Sequence, residues 1–298
     1  MEYVTLNNGI KMPMVGLGTA NLPVTEMKEI IRMAYELGYK KFDTAWLYKN
    51  EQSIGDAIKE LGIPRNEVFI TTKLNNHDLY TWNVFGKTKE LSIKSKSVRK
   101  AFLNSCKRLH VDYIDLYLIH WPYPNFLYLW EEIEKLYKDG LVKAIGVSSF
   151  LPPHLEKLKA VSDIVPAVNQ FEINPLNTNK ECIAYCKENG IHVEAYATFG
   201  TSRKNEVASK DIIQSDVVSQ IAISHGKTAS QIVLKWAVQQ GISVIPRSKS
   251  KQHLSENLGI FDFELSESEM SQIDNMNRNM YSRFDPHATL CLTKLTQL

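Results

Sequence analysis

Four titratable side chains stand where chemistry could be done: Asp43, Tyr48, Lys73 and His120. Asp43 follows the apolar Phe42, Lys73 closes Val68-Phe69-Ile70-Thr71-Thr72-Lys73, and His120 closes Tyr113-Ile114-Asp115-Leu116-Tyr117-Leu118-Ile119-His120. Tyr48 lies five residues beyond Asp43, just before a helix opens near Asn50. A phenol titrates near pH ~10 and releases its proton reluctantly at neutral pH, unless an ammonium nearby stabilises the phenolate. Lys73 can be that ammonium, with Asp43 holding it charged and aimed and His120 orienting a carbonyl oxygen that Tyr48 protonates. Protonating a carbonyl oxygen is productive only if something attacks the carbon. No Ser or Cys nucleophile is marked, so the chemistry calls for a hydride donor, a nicotinamide. Taken singly, each residue has an ordinary explanation: a packing tyrosine, a solvated strand-end lysine, a helix-capping aspartate, a core histidine. It is their convergence that would make a site.

Convergence requires elements that bring strand ends together. Apolar strands are expected at 15–18, 40–45, 68–73, 113–120, 143–149, 167–172, 192–198 and 242–246, separated by amphipathic segments. Helices are expected at 25–37, 52–61, 97–109, 127–138, 153–160, 179–188, 229–239 and 251–257, with another at 266–276. Strands apolar on both faces belong to a parallel sheet covered by helices. Eight strand-then-helix units predict a closed (β/α)8 TIM barrel, whose strand ends share one functional face. Asn8-Gly9 between two short extended pieces predicts an N-terminal β-hairpin cap. One long loop at 74–95 and a C-terminal extension account for the remaining length. A doubly wound open sheet is the alternative, disfavoured because Gly16-Leu17-Gly18-Thr19-Ala20-Asn21 begins like a dinucleotide fingerprint but has Asn at the third glycine. That stretch reads as a tight turn.

The 298 residues, 44% of them apolar, can build one large core, and one domain over 1–298 is expected. A net charge of +2, with both signs interspersed, argues against nucleic acid as a partner, and no run of ~18 apolar residues or export signal argues for a membrane. A cytoplasmic enzyme is the expectation. Cys106, Cys182, Cys186 and Cys291 show no CxxC spacing and fit reduced thiols better than disulfides or a metal site.

Gly16-Leu17-Gly18-Thr19, Phe42-Asp43-Thr44-Ala45 with Tyr48 and Asn50-Glu51, Thr72-Lys73, Asp115 to His120 with Trp121-Pro122, Ile145-Gly146-Val147-Ser148, Asn169-Gln170 and Ile245-Pro246-Arg247-Ser248 together resemble the aldo-keto reductase superfamily, in its prokaryotic type. The similarity runs in order over 3–285. It implies a monomeric barrel that reduces a small-molecule aldehyde or ketone with NADPH, or with NADH, and with Tyr48 as proton donor. It also implies a cofactor site: Ser148, Ser149 and Gln170 at the nicotinamide carboxamide, Tyr196 stacked on the ring, and Gly18, Thr19 and Asp43 lining the same end. Phe199 and Thr201 would follow along the cofactor, Thr201 at the pyrophosphate. Arg247 and Ser248 would meet the 2′-phosphate, and His253, Glu256 and Asn257 the adenosine end. Three departures bear on this: Ser149 replaces a usual Asn, His253 a common Arg, and Ala197 a usual Ser.

A substrate pocket of Leu47, Trp82, Trp121 and Tyr123 is expected, with the 74–95 loop as a wall or lid carrying Trp82 and Phe85, or else as a disordered basic insertion. Two other functions compete: a class I aldolase using Lys73 as Schiff base, and a cofactor-binding regulatory protein on the same barrel with little turnover.

Overall fold

The computed structural model describes residues 2–74, 96–200, 206–282 and 285–287, so Trp82, Phe85 and Thr201 lie outside the described residues. A hairpin, β1 (Tyr3–Thr5) and β2 (Lys11–Pro13), precedes eight parallel strands: β3 (Leu17–Gly18), β4 (Lys41–Asp43), β5 (Phe69–Leu74), β6 (Ile114–Ile119), β7 (Val142–Ser148), β8 (Val168–Glu172), β9 (His192–Tyr196) and β10 (Ser243–Val244). They pair in chain order, and a parallel bridge from Val15 to Val244 closes the ring. The closing bonds are Gly16 N to Val244 O at 2.9 Å, Val244 N to Met14 O at 2.8 Å and Gly18 N to Pro246 O at 3.1 Å. The fold is a (β/α)8 barrel.

β4, β5, β6 and β8 are buried at every position, because side chains facing outward lie under helices while those facing inward fill the barrel. The covering helices are α1 (Met27–Glu36), α2 (Glu51–Glu60), α3 (Lys96–Leu109), α4 (Phe126–Lys138), α5 (Pro152–Lys159), α6 (Lys180–Glu188), α7 (Glu206–Ile213), α8 (Asp216–His225), α9 (Ala229–Gln239) and α10 (Lys251–Leu258), with α11 (Glu267–Asp274) after the barrel. The hairpin turns at Gly9, whose φ of 83° suits glycine. Its Leu6 and Met12 pack against Phe69, Leu116, Leu118 and Val168, so it plugs the barrel end opposite the strand C-termini.

Two findings depart from the sequence expectations. Helices α7 and α8 occupy a stretch, between the strand expected at 192–198 and the helix expected at 229–239, for which no element is expected. In α8 only Val218, Ile221 and Ala222 are buried while Ile223 is 81% exposed, so no clean one-sided stripe announces the helix. The legible signal was Ser215, whose hydroxyl caps the helix by accepting from Val218 N. Second, the tight turn expected over 16–21 is confined to its end, closed by Leu22 N donating to Thr19 O at 3.1 Å, while Leu17–Gly18 form β3 within the strand expected at 15–18. A Cβ on Gly18 would come within 2.5 Å of the Ile245 carbonyl oxygen, so this glycine permits the close approach that shuts the barrel beside the site.

Two histidines, His154 and His192, are both held down at about 4, chiefly by burial, and make the fold acid-sensitive. His154, fully buried, accepts a hydrogen bond from Leu151 N on Nδ1 (3.1 Å) and meets the rings of Phe126 and Phe150 edge-on. Burial, with Lys157 adding to it, holds its imidazole down at about 4. Unfolded, the same ring takes up a proton below about 6.5, so its contribution to stability is complete above that pH and is lost as pH falls through about 4. The span is worth about 3 kcal/mol at most. The loss of urea stability between pH 7.5 and pH 4.5 should therefore shrink by about 2–3 kcal/mol in His154→Gln; an unchanged difference would show that His154 is not one of the groups responsible.

Candidate active site

At the C-terminal ends of the strands lies a cavity of about 260 Å³, lined among others by Asp43, Tyr48, His120, Ser148, Gln170 and Tyr196. Asp43 ends β4, and the chain then makes one tight turn over Trp46–Tyr48 before α2. Lys49 closes that turn in the left-handed region at φ 58°, which throws Tyr48 back over the barrel mouth. A ring of hydrogen bonds fixes the loop: Thr19 Oγ1 donates to Asp43 O (2.8 Å), Asn50 Nδ2 to Thr19 O (2.8 Å), and Thr44 Oγ1 to Asn50 Oδ1 (2.7 Å). Thr19 therefore supports the site from behind.

Lys73, fully buried, reaches from β5 beneath this loop. Its Nζ donates to Asp43 Oδ1 at 2.6 Å and to Thr44 O at 3.0 Å, and stands 5.2 Å from the centre of the Tyr48 ring. Burial works against the ammonium, but the charges of Asp43, Tyr48 and Glu194 outweigh it and hold Lys73 above its ordinary value. His120, 6% exposed, sets its ring edge-on to Tyr48 at 5.8 Å and stacks on Trp121 at 5.8 Å. The four residues expected to converge do so, three on the cavity wall and Lys73 directly behind it.

The cofactor residues expected from the sequence divide into groups. Gly18, Ser148, Gln170, Tyr196, Phe199 and Arg247 line the same cavity. Arg247 sits at its rim, donating to Ala20 O at 2.8 Å. Ser149 stands one step back in the left-handed region (φ 61°), its Oγ 3.1 Å from Tyr196 Oη. Ser248 is buried in its own turn, accepting from Ser250 N at 3.1 Å. On α10, His253 is exposed, Glu256 accepts from Gln252, and Asn257 is buried against the Tyr39 hydroxyl instead of facing out. Of the expected pocket residues, Trp121 lines the cavity, Leu47 is 47% exposed on the loop and Tyr123 is half-buried nearby in sequence.

Three charged side chains escaped the sequence reading. Glu51 is not a plain helix-opening acid: it is buried, accepts from Thr72 Oγ1 (2.6 Å) and from Arg108 Nε (2.8 Å), and so anchors α2 and α3 to the residue before Lys73. Lys41 and Glu194 form a fully buried ion pair inside the barrel. Burial opposes the Glu194 carboxylate, but Lys41, Gln170 and Ser243 hold it below the usual range. An acid in the middle of His192-Val193-Glu194-Ala195-Tyr196, two residues before a cavity-lining tyrosine, was the signal.

Residues 14–278 match the sequence model of the Aldo/keto reductase family. The chain belongs to that family. A glyoxal reductase of Bacillus subtilis (strain 168) is 41% identical over 280 residues, covering 93% of this chain and 94% of its own length. Methylglyoxal reductase DkgA of Escherichia coli (strain K12) is 34% identical over 286 residues, 95% and 96% of the two chains. The solved aldo-keto reductase of Bombyx mori, in complex with NADP, superposes with a TM-score of 0.84, at 32% identity over 95% of each chain. This aldo/keto reductase is accordingly an NAD(P)H-dependent oxidoreductase. Among its described residues no helix is long and apolar enough to cross a membrane.

Proposed function

We propose that this aldo/keto reductase reduces a small aldehyde or ketone with NADPH, Tyr48 giving the proton to the carbonyl oxygen. The observation that carries the reading is the buried Lys73 ammonium, 5.2 Å behind the Tyr48 ring, in a cavity that Tyr48, His120 and Gln170 share. The nicotinamide, when bound, supplies the hydride. Tyr48 donates its hydroxyl proton as negative charge develops on the carbonyl oxygen, and Lys73 stabilises the phenolate left behind. Asp43 holds Lys73 in place through its 2.6 Å contact. His120 orients the carbonyl oxygen toward the Tyr48 hydroxyl. The pairing of Lys73 with Asp43 runs against the aldolase alternative, because a Schiff base starts from a neutral amine.

The residues present suit the cofactor. Gln170 has its amide nitrogen committed to Asp43 and Glu194, which leaves the oxygen for a carboxamide N–H. Tyr196 offers a ring face in the cavity, and the exposed Arg247 fork at the rim matches a 2′-phosphate. The relatives named for glyoxal and methylglyoxal support small dicarbonyls as the substrate class. We take the protein to be a cytoplasmic, single-domain monomer.

Initial rates with NADPH and NADH against a panel of aldehydes, ketones and dicarbonyls test this. NADPH should be preferred, and Arg247→Met should raise its KM about tenfold or more, one charge-assisted contact to phosphate being worth ~1.5–3 kcal/mol. KM for NADH should stay within about twofold, since NADH carries no such phosphate. Equal effects on both cofactors would remove Arg247 from the phosphate; NADPH binding without turnover of any carbonyl would favour the regulatory alternative.

A further inference from the structure

The barrel interior above the hairpin plug holds a line of charge where branched apolar side chains are usual. Alternation along β4 and β9 points Lys41 inward like Asp43, and Glu194 inward like Tyr196. Lys41 and Glu194 are paired with both side chains fully buried, and Ser243 Oγ donates to the same Glu194 oxygen at 3.0 Å. The other Glu194 oxygen accepts from Gln170 Nε2 at 2.7 Å, and that same nitrogen donates to Asp43 Oδ2 at 2.8 Å. Lys41 has room for its stem because residue 16 is glycine: a Cβ there would come within 2.9 Å of Lys41 Cγ.

An ionised carboxylate only accepts hydrogen bonds. With one carboxylate on each side, the planar Gln170 amide has a single satisfactory orientation: both N–H groups go to Asp43 and Glu194. Turned over, it would set its oxygen against two anions in a buried site. We infer that Lys41 and Glu194 are positioning residues that lock the Gln170 side chain with its amide oxygen facing the cavity, so that the site selects a ring bearing an N–H donor, a carboxamide, over one bearing only an acceptor. The inference rests on the nicotinamide reading above. Glu194 is the second acceptor that fixes the amide, and Lys41 keeps Glu194 ionised and in place inside the barrel.

The probes are NADP⁺ and its 3-acetylpyridine analogue, which keeps the ring carbonyl but has methyl in place of the amide NH2. Binding is read from quenching of tryptophan fluorescence, so no turnover is needed. The wild type should prefer NADP⁺ by about fivefold, the size of one hydrogen bond. Lys41→Met with Glu194→Gln removes the ion pair but keeps an acceptor facing Gln170, and should hold that preference within about twofold. Lys41→Met with Glu194→Leu removes the acceptor as well, and its preference should fall below about twofold. Because a buried Met–Leu pair can fail to fold, Glu194→Asp gives a second route: it keeps the charge for Lys41 but withdraws the carboxylate from Gln170 by one methylene, and should lose the preference too. Folded Leu or Asp variants that retain the full wild-type preference would overturn the inference and leave the reductase reading standing. A wild type that binds neither NADP⁺ nor the analogue would overturn both.

Discussion

Tyr48→Phe lowers kcat for carbonyl reduction by about a hundred- to ten-thousandfold, the usual worth of a positioned general acid, while NADPH binds within about twofold of wild type. Among the described residues the Tyr48 hydroxyl makes no hydrogen bond that the change would remove. Its ring contacts are the edge of His120 at 5.8 Å and the Lys73 ammonium at 5.2 Å, and phenylalanine preserves both. The damage should therefore fall on the chemical step and not on folding or cofactor affinity. Steady-state rates beside a fluorescence titration check it. A kcat within about threefold of wild type would remove Tyr48 from the proton transfer.

Lys73→Met should be costly in two separable ways. Lys73 and Asp43 are both buried, and deleting one partner leaves the other as an uncompensated charge, a loss of about 3–5 kcal/mol. Lys73→Met combined with Asp43→Asn removes both charges and should recover most of that stability, since neutral pairs of similar volume are tolerated in buried sites. Activity should not return. Without the ammonium nothing offsets the phenolate, and the double variant should stay at least about a hundredfold below wild type. Urea unfolding midpoints and kcat, measured on the single and double variants, separate the two effects. A double variant that regains both stability and rate would make Lys73 a structural residue only.

The barrel was legible because its strands advertise themselves. Continuous apolar runs such as Leu116-Tyr117-Leu118-Ile119 cannot face water on either side, and only a helix-covered parallel sheet buries them twice. Asp43, Lys73 and His120 were legible for the same reason, each a titratable group where an apolar strand stops. Tyr48 followed from its distance to Asp43. What the sequence hid lies where a local pattern misstates the tertiary outcome. Gly18 looks like turn chemistry, yet it is glycine because the Ile245 carbonyl lies where a Cβ would be. Glu51 looks like an exposed first-turn acid, and only packing against α3 reveals its bond to Arg108. Lys41 and Glu194 are 153 residues apart, so no local window contains the pair that makes either one tolerable inside a barrel. Ile223 conceals α8 by facing solvent.

The central claim is that hydride passes from nicotinamide to a carbonyl carbon bound between Tyr48 and His120. The most direct test is a reaction of methylglyoxal with NADPH deuterated at the transferring C4 position, the product being analysed by mass spectrometry and proton NMR. The account predicts one deuterium per NADPH consumed, on the carbinol carbon, formed at the wild-type rate only when Tyr48 is present. A product without carbon-bound deuterium, or formation that proceeds equally in Tyr48→Phe, would contradict it.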